Sequence, residues 1–275
     1  MRIDDAEIRW LTALLANAAD TEIMPRFRRL EAGGIRQKTS AADLVTDADE
    51  AAEAWITAKL KERFPDALVV GEEACEKDAA LLPALAAADL AFTLDPVDGT
   101  FNFASGVPLF GVMLAAVENG ETNAGIIYDP LTRSSTIGVR GEGATFLAPD
   151  GTRTPCHVAR AVPLSGSVAS VSWQYFAEPQ RSLLARNSAK CLSSIGYRCA
   201  AHEYRLLASG SMHFALYNKL MPWDHLPGVL IHAEAGGHAA KLDGSPYRPG
   251  DTAGGLLLAP DEAAWAAIRR ELWEG

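Results

Sequence analysis

The chain has 275 residues, 48% of them hydrophobic and 22% charged, with a formal net charge of −10. That length supports one large domain or two of moderate size, with a core that needs neither disulfides nor structural metal. An acidic balance without a long Lys/Arg run excludes a nucleic-acid polymer or a membrane surface as a general partner, while leaving a phosphate ester possible if metal ions reverse the local sign.

The four cysteines, Cys75, Cys156, Cys191 and Cys199, form no C-x-x-C pair and suggest reduced thiols in a cytoplasmic protein. The start, Met1-Arg2-Ile3-Asp4-Asp5, opens a charged amphipathic segment and not a signal peptide. The longest apolar stretch, about Val107 to Val117, is too short to span a bilayer.

Ile8, Leu11, Leu14, Leu15 and Ala18 recur at helical spacing behind a candidate cap at Asp4 or Asp5. They predict a helix to Met24 or, past Pro25, to about Leu30. Asp43, Asp47, Asp49 and Glu50 crowd where a second helix is expected to start, and Pro65 ends it. Acids suit a helix N-terminus, so most of that cluster has a structural explanation; Asp49 is the candidate for more. Ala67–Val70 reads as a strand that delivers Gly71-Glu72-Glu73 at its C-terminal end, where α/β sheets bind ligands. A short helix through Leu81–Ala88 leads to an apolar strand, Leu90–Leu94, and then to Asp95-Pro96-Val97-Asp98-Gly99-Thr100. Pro96 fixes its own φ and holds Asp95 extended, so the chain turns and presents two acids on one side. Their repulsion is costly unless a cation sits between them.

Leu109–Val117, the Asn119-Gly120 turn and Ala124–Tyr128 begin an antiparallel meander, with further turns at Asp129-Pro130, Arg140-Gly141 and Asp150-Gly151. Beyond Pro155 the pattern alternates. Strands are expected at Val168–Val171, Met212–Tyr217 and Leu256–Ala259, and helices at Pro179–Asn187, Ala200–Ala208 and Asp261–Leu272. Another helix opens around Pro222-Trp223-Asp224 and stops at Gly236-Gly237; Pro227 is expected in its first turn, which puts Asp224 at or just before its start. The change of pattern predicts two closely packed halves, 1–150 with most of the acids and 151–275 with Asp224.

Asp43–Asp49, Glu72-Glu73, Asp95–Thr100 and Asp224 all fall at element ends and can converge. Hard oxygen ligands without nearby His or Cys partners select Mg²⁺, Mn²⁺ or Ca²⁺ over zinc, which points to two- or three-metal phosphoryl transfer to water. A threonine two residues beyond Asp98 can reach a metal-bound water, and Gly99 lets a phosphate approach the backbone.

Three signatures, in order along the chain, resemble the inositol monophosphatase family of lithium-sensitive, Mg²⁺-dependent phosphatases. They are Asp43-Leu44-Val45-Thr46 with Asp49, followed by Gly71-Glu72-Glu73; Asp95-Pro96-Val97-Asp98-Gly99-Thr100 with Asn102-Phe103; and Trp223-Asp224 with Gly228 and Glu234-Ala235-Gly236-Gly237. The resemblance implies a mixed α+β and α/β fold, a layered αβαβα sandwich of the sugar-phosphatase type. It also implies a homodimeric phosphomonoesterase with two or three Mg²⁺ per subunit, acting on a small phosphorylated polyol or sugar. Glu72, Asp95 and the carbonyl of Val97 would hold one metal. Asp95, Asp98 and Asp224 would hold the second, and a weaker third would sit near Glu72 and Asp49. Thr100, Asp49 and Glu72 form the catalytic set, with Thr100 and Asp49 handling the proton of the attacking water. Substrate contacts fall to Gly99, Thr100, Gly196, Arg198, Tyr217 and Asp224.

Three residues depart from the family pattern. Tyr217 stands where inositol-specific members carry an acid, and Tyr197-Arg198 follow Gly196 where smaller residues are usual. Arg198 could bind a second phosphate or a carboxylate, or serve as a surface ion-pair partner. Histidinol-phosphate, fructose-1,6-bisphosphate and 3′(2′),5′-bisphosphate nucleotide phosphatases of the same superfamily are alternatives. Outside it stand an aspartyl-phosphate enzyme of the haloacid-dehalogenase type and a non-catalytic phosphate-binding protein. His232 and Glu234 form an H-x-E without paired cysteines, which disfavours a zinc enzyme.

Overall fold

In the computed structural model of the chain, residues 3–31 and 33–274 are described; Met1 and Arg2, part of the N-terminal segment read above, lie outside them. Helix α1 (Asp5–Ala18) is capped by the Asp4 carboxylate, which accepts the N–H groups of Ala6 and Glu7 at 2.8 and 2.9 Å. It loosens into a wider turn, Ala19–Ile23, and does not reach Leu30: Met24 keeps helical dihedrals, but Pro25 has no N–H to bond back into the helix. Asp43 does not begin a helix. Strand β2 (Asp43–Thr46) pairs antiparallel with β1 (Ile35–Ser40), and helix α2 (Asp47–Arg63) starts only after Thr46.

Strand β3 (Leu68–Gly71) then leads into helices α3 (Glu72–Lys77) and α4 (Leu81–Ala84), and these into strand β4 (Leu90–Asp98), longer than the apolar run alone predicts. The short helix α5 (Thr100–Ala104) precedes the expected meander: β5 (Gly111–Glu118), β6 (Glu121–Asp129), β7 (Ser134–Val139), β8 (Gly143–Leu147) and β9 (Arg153–Pro155). The remaining elements are β10 (Val168–Val171), α6 (Gln180–Ser188), β11 (Ser193–Ser194), α7 (Ala200–Ala208), β12 (Phe214–Tyr217), α8 (Pro222–Glu234), β13 (His238–Lys241), β14 (Leu256–Ala259) and α9 (Glu262–Arg269).

Seven strands form one sheet in the order β3-β4-β5-β6-β7-β8-β9, and five form another in the order β11-β10-β12-β14-β13. Alternation along the strands divides the core into layers. Val112, Leu114, Ala116 and Ile126 face α1 and α2, whereas Met113 and Ile127 face α7 and α8. In the second sheet Ala215, Leu256 and Leu258 face the same two helices, and Phe214, Leu216, Leu257 and Ala259 face α6 and α9. The result is a five-layer αβαβα sandwich.

Helix α8 lies in the middle layer, close against the first sheet. A Cβ on Gly125 of β6 would come 2.5 Å from the Pro227 carbonyl, and one on Gly138 of β7 would come 2.9 Å from Ile231 Cα. This contact corrects the expected register of α8. The helix starts at Pro222, Asp224 is its third residue, and Pro227 lies in its interior. The missing Pro227 N–H removes one helical hydrogen bond, and the proline backbone packs on Gly125 instead.

Candidate active site

The β3–β4 pair is the parallel pair of the seven-stranded sheet, with Gly71 opposite Leu94. Glu72 and Asp95 therefore leave adjacent strands at the same end. Between β4 and β5 the register passes from Asp95↔Met113 to Asp98↔Gly111, so β4 carries one extra residue. Pro96 falls in that bulge, where no ladder N–H is required, and the bulge re-aims Asp98. Asp95, Asp98, Glu72 and Asp224 all line one cavity. Gly99 closes the turn at φ +90°, and a Cβ there would meet the Leu109 carbonyl at 2.9 Å. Asn102 pins the motif by donating from Nδ2 to the carbonyls of Leu109 and Tyr197, both at 2.9 Å.

Asp49 is fully buried at the start of α2 and closes a capping box. One carboxylate oxygen accepts the Thr46 N–H at 3.0 Å and the Thr46 hydroxyl; the other lies 3.1 Å from the Thr100 hydroxyl. That same Thr100 oxygen is 3.1 Å from the Val97 carbonyl. Burial pushes the Asp49 carboxyl up to about 7, against the Thr46 hydrogen bonds that favour its charge.

The other acids are displaced in the same direction. Burial first, then the charges of Glu72, Asp98 and Asp224, hold Asp95 well above the carboxylate range. Burial raises Asp224 likewise, with Glu72 and Asp98 adding to it. Asp98 is raised by burial to about 6, although the Cys199 thiol donates to it at 2.9 Å and the Ala201 N–H at 2.6 Å.

Among the described residues no three His, Cys, Asp or Glu side chains draw into a closed metal cage. The donor chemistry nonetheless fits a hard divalent cation. The ligand atoms are oxygens, they line an open cavity, and the repulsion that raises their proton affinities is what a cation relieves. Magnesium keeps several waters and takes few protein carboxylates, so an open set suits it.

The expected substrate-side residues reach the same cavity: Gly196, Arg198 and Tyr217 are on its wall with Gly99 and Thr100. Arg198 is tied down, its Nη2 donating to the Ala42 carbonyl at 2.8 Å and its guanidinium lying 4.4 Å over the Phe101 ring. Tyr217 is buried against His225, with centroids 4.8 Å apart, beside the Glu203 carboxyl that burial pushes up to about 7. His232 and Glu234 separate into structural roles. His232 Nε2 bonds the Ala259 carbonyl at 2.9 Å, and Glu234 accepts the N–H groups of Gly141 and Gly143 at 2.9 Å each.

Several contributors went unread in the sequence. Lys38 Nζ ion-pairs with Glu72, Glu73 and Glu76 at 3.1, 2.7 and 2.9 Å, so β1 delivers a buried cation beside a predicted metal ligand. Glu53 reaches from α2 to accept the Glu73 and Ala74 N–H groups at 2.8 and 2.7 Å, capping α3. Cys199 donates to Asp98 across 101 positions of chain. No local pattern marks Glu53 or Cys199; Lys38 sits beside the Asp43 signature and could have been questioned.

The model of the inositol monophosphatase family matches residues 6–274. A fructose-1,6-bisphosphatase/inositol-1-monophosphatase from Thermotoga maritima is 28% identical over 214 residues, 76% of each chain. The Nus factor SuhB of Escherichia coli is 28% identical over 233 residues, 83% of each. Inositol monophosphatase II of Staphylococcus aureus superposes with a TM-score of 0.80 at 23% identity, covering 98% of this chain and 94% of that one.

Proposed function

The chain belongs to the inositol monophosphatase family and is a phosphoric monoester hydrolase; from that premise we propose that it hydrolyses a small phosphorylated polyol or sugar with Mg²⁺. One observation carries the reading: Thr100, on the wall of the cavity that Glu72, Asp95, Asp98 and Asp224 line, holds its hydroxyl 3.1 Å from both the buried Asp49 carboxylate and the Val97 carbonyl. In this reading Glu72, Asp95 and the Val97 carbonyl hold one cation, and Asp95, Asp98 and Asp224 a second. Bound magnesium would polarise the ester and lower the pKa of an attacking water.

The protein's own groups do the rest. Thr100 orients the water through its hydroxyl. Its proton lies between Asp49 and Val97, so donation to Asp49 leaves the threonine oxygen free to accept from the water. Asp49, raised towards neutrality by burial, is suited to receive a proton at its Oδ1. Gly99 keeps the turn free of a side chain, which lets phosphate oxygens approach the backbone N–H groups at the start of α5. The substrate phosphate is thereby held where Thr100 can direct the water at it.

The same reading extends to a homodimer, lithium inhibition and a cytoplasmic setting. Among the described residues no helix is long and apolar enough to cross a membrane. The test is phosphate release from inositol-1-phosphate, glycerol-2-phosphate, 2′-AMP, histidinol phosphate, fructose 1,6-bisphosphate and adenosine 3′,5′-bisphosphate, with Mg²⁺ and with chelator. Turnover should need Mg²⁺ and vanish in Asp98→Asn and Asp224→Asn proteins that melt normally. Undiminished turnover in either variant defeats the assignment.

A further inference from the structure

Among the described residues, two Lys or Arg side chains stand on the wall of the active-site cavity, Arg198 and Lys219. Arg198 is engaged by the Ala42 carbonyl and the Phe101 ring. Lys219 is different: among the described residues no carboxylate lies within ion-pair distance of its ammonium. The residue is exposed to solvent, where an ammonium keeps its charge.

The lysine is mounted on a fixed elbow between β12 and α8. Its carbonyl lies 2.8 Å from His225 Nε2, and His225 Nδ1 lies 2.9 Å from the Tyr204 hydroxyl. A carbonyl can only accept, so the His225 ring carries an N–H at Nε2. That N–H donates to the Lys219 carbonyl, and Nδ1 meets the Tyr204 hydroxyl. Beside it, Asn218 Nδ2 donates to the Tyr175 carbonyl at 2.7 Å and ties the elbow to the rim of the cavity. A long, flexible side chain on a rigid base, facing a cavity without a carboxylate partner, is placed to meet a ligand rather than to stabilise the fold.

Charge balance says which ligand. Two divalent cations would neutralise the four carboxylates of Glu72, Asp95, Asp98 and Asp224; of the two other acids on the wall, Asp43 accepts from the Thr39 hydroxyl and Glu203 from the Tyr197 N–H, so Lys219 keeps no carboxylate partner there. The transferred phosphate would be met by the cations and by the backbone at Gly99 and Thr100. We propose that Lys219 recognises a second anionic group, a carboxylate or another phosphate, on the same substrate, and so selects doubly anionic phosphate esters. This rests on the phosphatase reading above and names the substrate class within it.

The test compares kcat/KM for glycerol-2-phosphate, which has no second anion, with 3-phosphoglycerate and fructose 1,6-bisphosphate, which carry a carboxylate and a phosphate respectively. The wild type should favour at least one of the doubly anionic esters, and which one identifies the anion. Lys219→Met should reduce that preference ~10–100-fold, the range expected for a lost hydrogen bond to a charged group, and Lys219→Arg should restore most of it. Equal losses on all three substrates, or an unchanged preference, overturns the proposal.

Calorimetry of the Mg²⁺-loaded protein with methylphosphonate and phosphonoacetate, two non-hydrolysable probes that differ by a carboxylate, tests binding without turnover. Its scope is the carboxylate form of the anion. If the esters identify a carboxylate, the preference for phosphonoacetate should fall in the methionine variant by a similar factor, and its persistence there counts against the proposal. Failure of the wild type to hydrolyse any ester would fall on the phosphatase reading, and binding would still report on Lys219 once 1,3-propanediphosphonate is added as the phosphate-bearing probe: a preference for phosphonoacetate or for the diphosphonate lost in the methionine variant supports the proposal, and no preference for either, or an unchanged one, overturns it.

Discussion

Replacing Asp49 with asparagine separates the structural role of this residue from its chemical one. Asparagine keeps the shape and one acceptor, so its carbonyl can still take the Thr46 N–H that Asp49 accepts at 3.0 Å. Its amide would then face Thr100, 3.1 Å away, and donate to the hydroxyl oxygen, whose own proton turns to the Val97 carbonyl at 3.1 Å. Thr46 and Thr100 keep their partners, but nothing remains to accept a proton. Loss of a general base costs ~10²–10⁴ in rate, or ~2.7–5.5 kcal/mol of transition-state stabilisation.

Stability should move the other way. Burial displaces the Asp49 carboxyl from 3.8 to about 7, so at pH 8 the metal-free fold holds an ionised group it disfavours. At ~1.4 kcal/mol per tenfold, that penalty is on the order of 4 kcal/mol as an upper bound, and asparagine removes it. Phosphate-release kinetics with Mg²⁺ should therefore show kcat reduced at least ~100-fold, while the metal-free variant melts at or above the wild-type temperature at pH 8. A kcat within tenfold of wild type, or a rate loss matched by a large drop in melting temperature, refutes the reasoning.

Cys199→Ala removes the thiol that donates to Asp98 at 2.9 Å and should lower kcat/KM ~3–10-fold, in keeping with a weak donor; Cys199→Ser should recover most of it, and failure of that rescue counts against the hydrogen bond. Gly228→Ala places a Cβ 2.2 Å from the ring of the fully buried Tyr204 and should destabilise by ~1–3 kcal/mol, read as a lower denaturation midpoint. Metal-free protein should lose stability as pH rises from about 4.5 to 8. Asp98 is raised to about 6, and Asp49 and Glu203 to about 7, so the folded state binds more protons than the unfolded chain across that window. Melts with chelator should fall along it, and saturating Mg²⁺ should flatten the trend; a metal-free protein that gains stability over the same range contradicts the electrostatics.

What could be read from the sequence was whatever repeats or clusters locally. The strand from Leu90, the meander and helix Ala200–Ala208 carry clear apolar patterns, and all three are present. The hairpin Ile35–Thr46 went unread because its residues are mostly polar and partly exposed, so pairing leaves no apolar alternation. The interior position of Pro227 depends on Gly125, a tertiary contact that overrides helix chemistry. At the site, the acids could be gathered because each cluster lies at an element end. Lys38 on Glu72, Glu53 on the α3 N-terminus and His225 beneath Lys219 are pairings between distant or unpatterned residues, visible only once the layers stack.

The same devices that make the fold also set the chemistry, and this explains why the acids tolerate one another. Asp49 caps α2, so its burial is supported by helix formation even before any cation arrives. Asp98 is held by the first residues of α7, and Asp224 rides on α8, both in the layer between the sheets. Proton affinity raised by burial is the penalty that remains, and it is the quantity a divalent cation removes. Metal binding and folding are therefore linked through the same carboxylates. Lys38 answers part of that charge permanently at Glu72 and Glu73, from a hairpin that belongs to neither of the two large sheets. The cavity is thus left acid-rich, with Lys219 as the cation still available to a substrate.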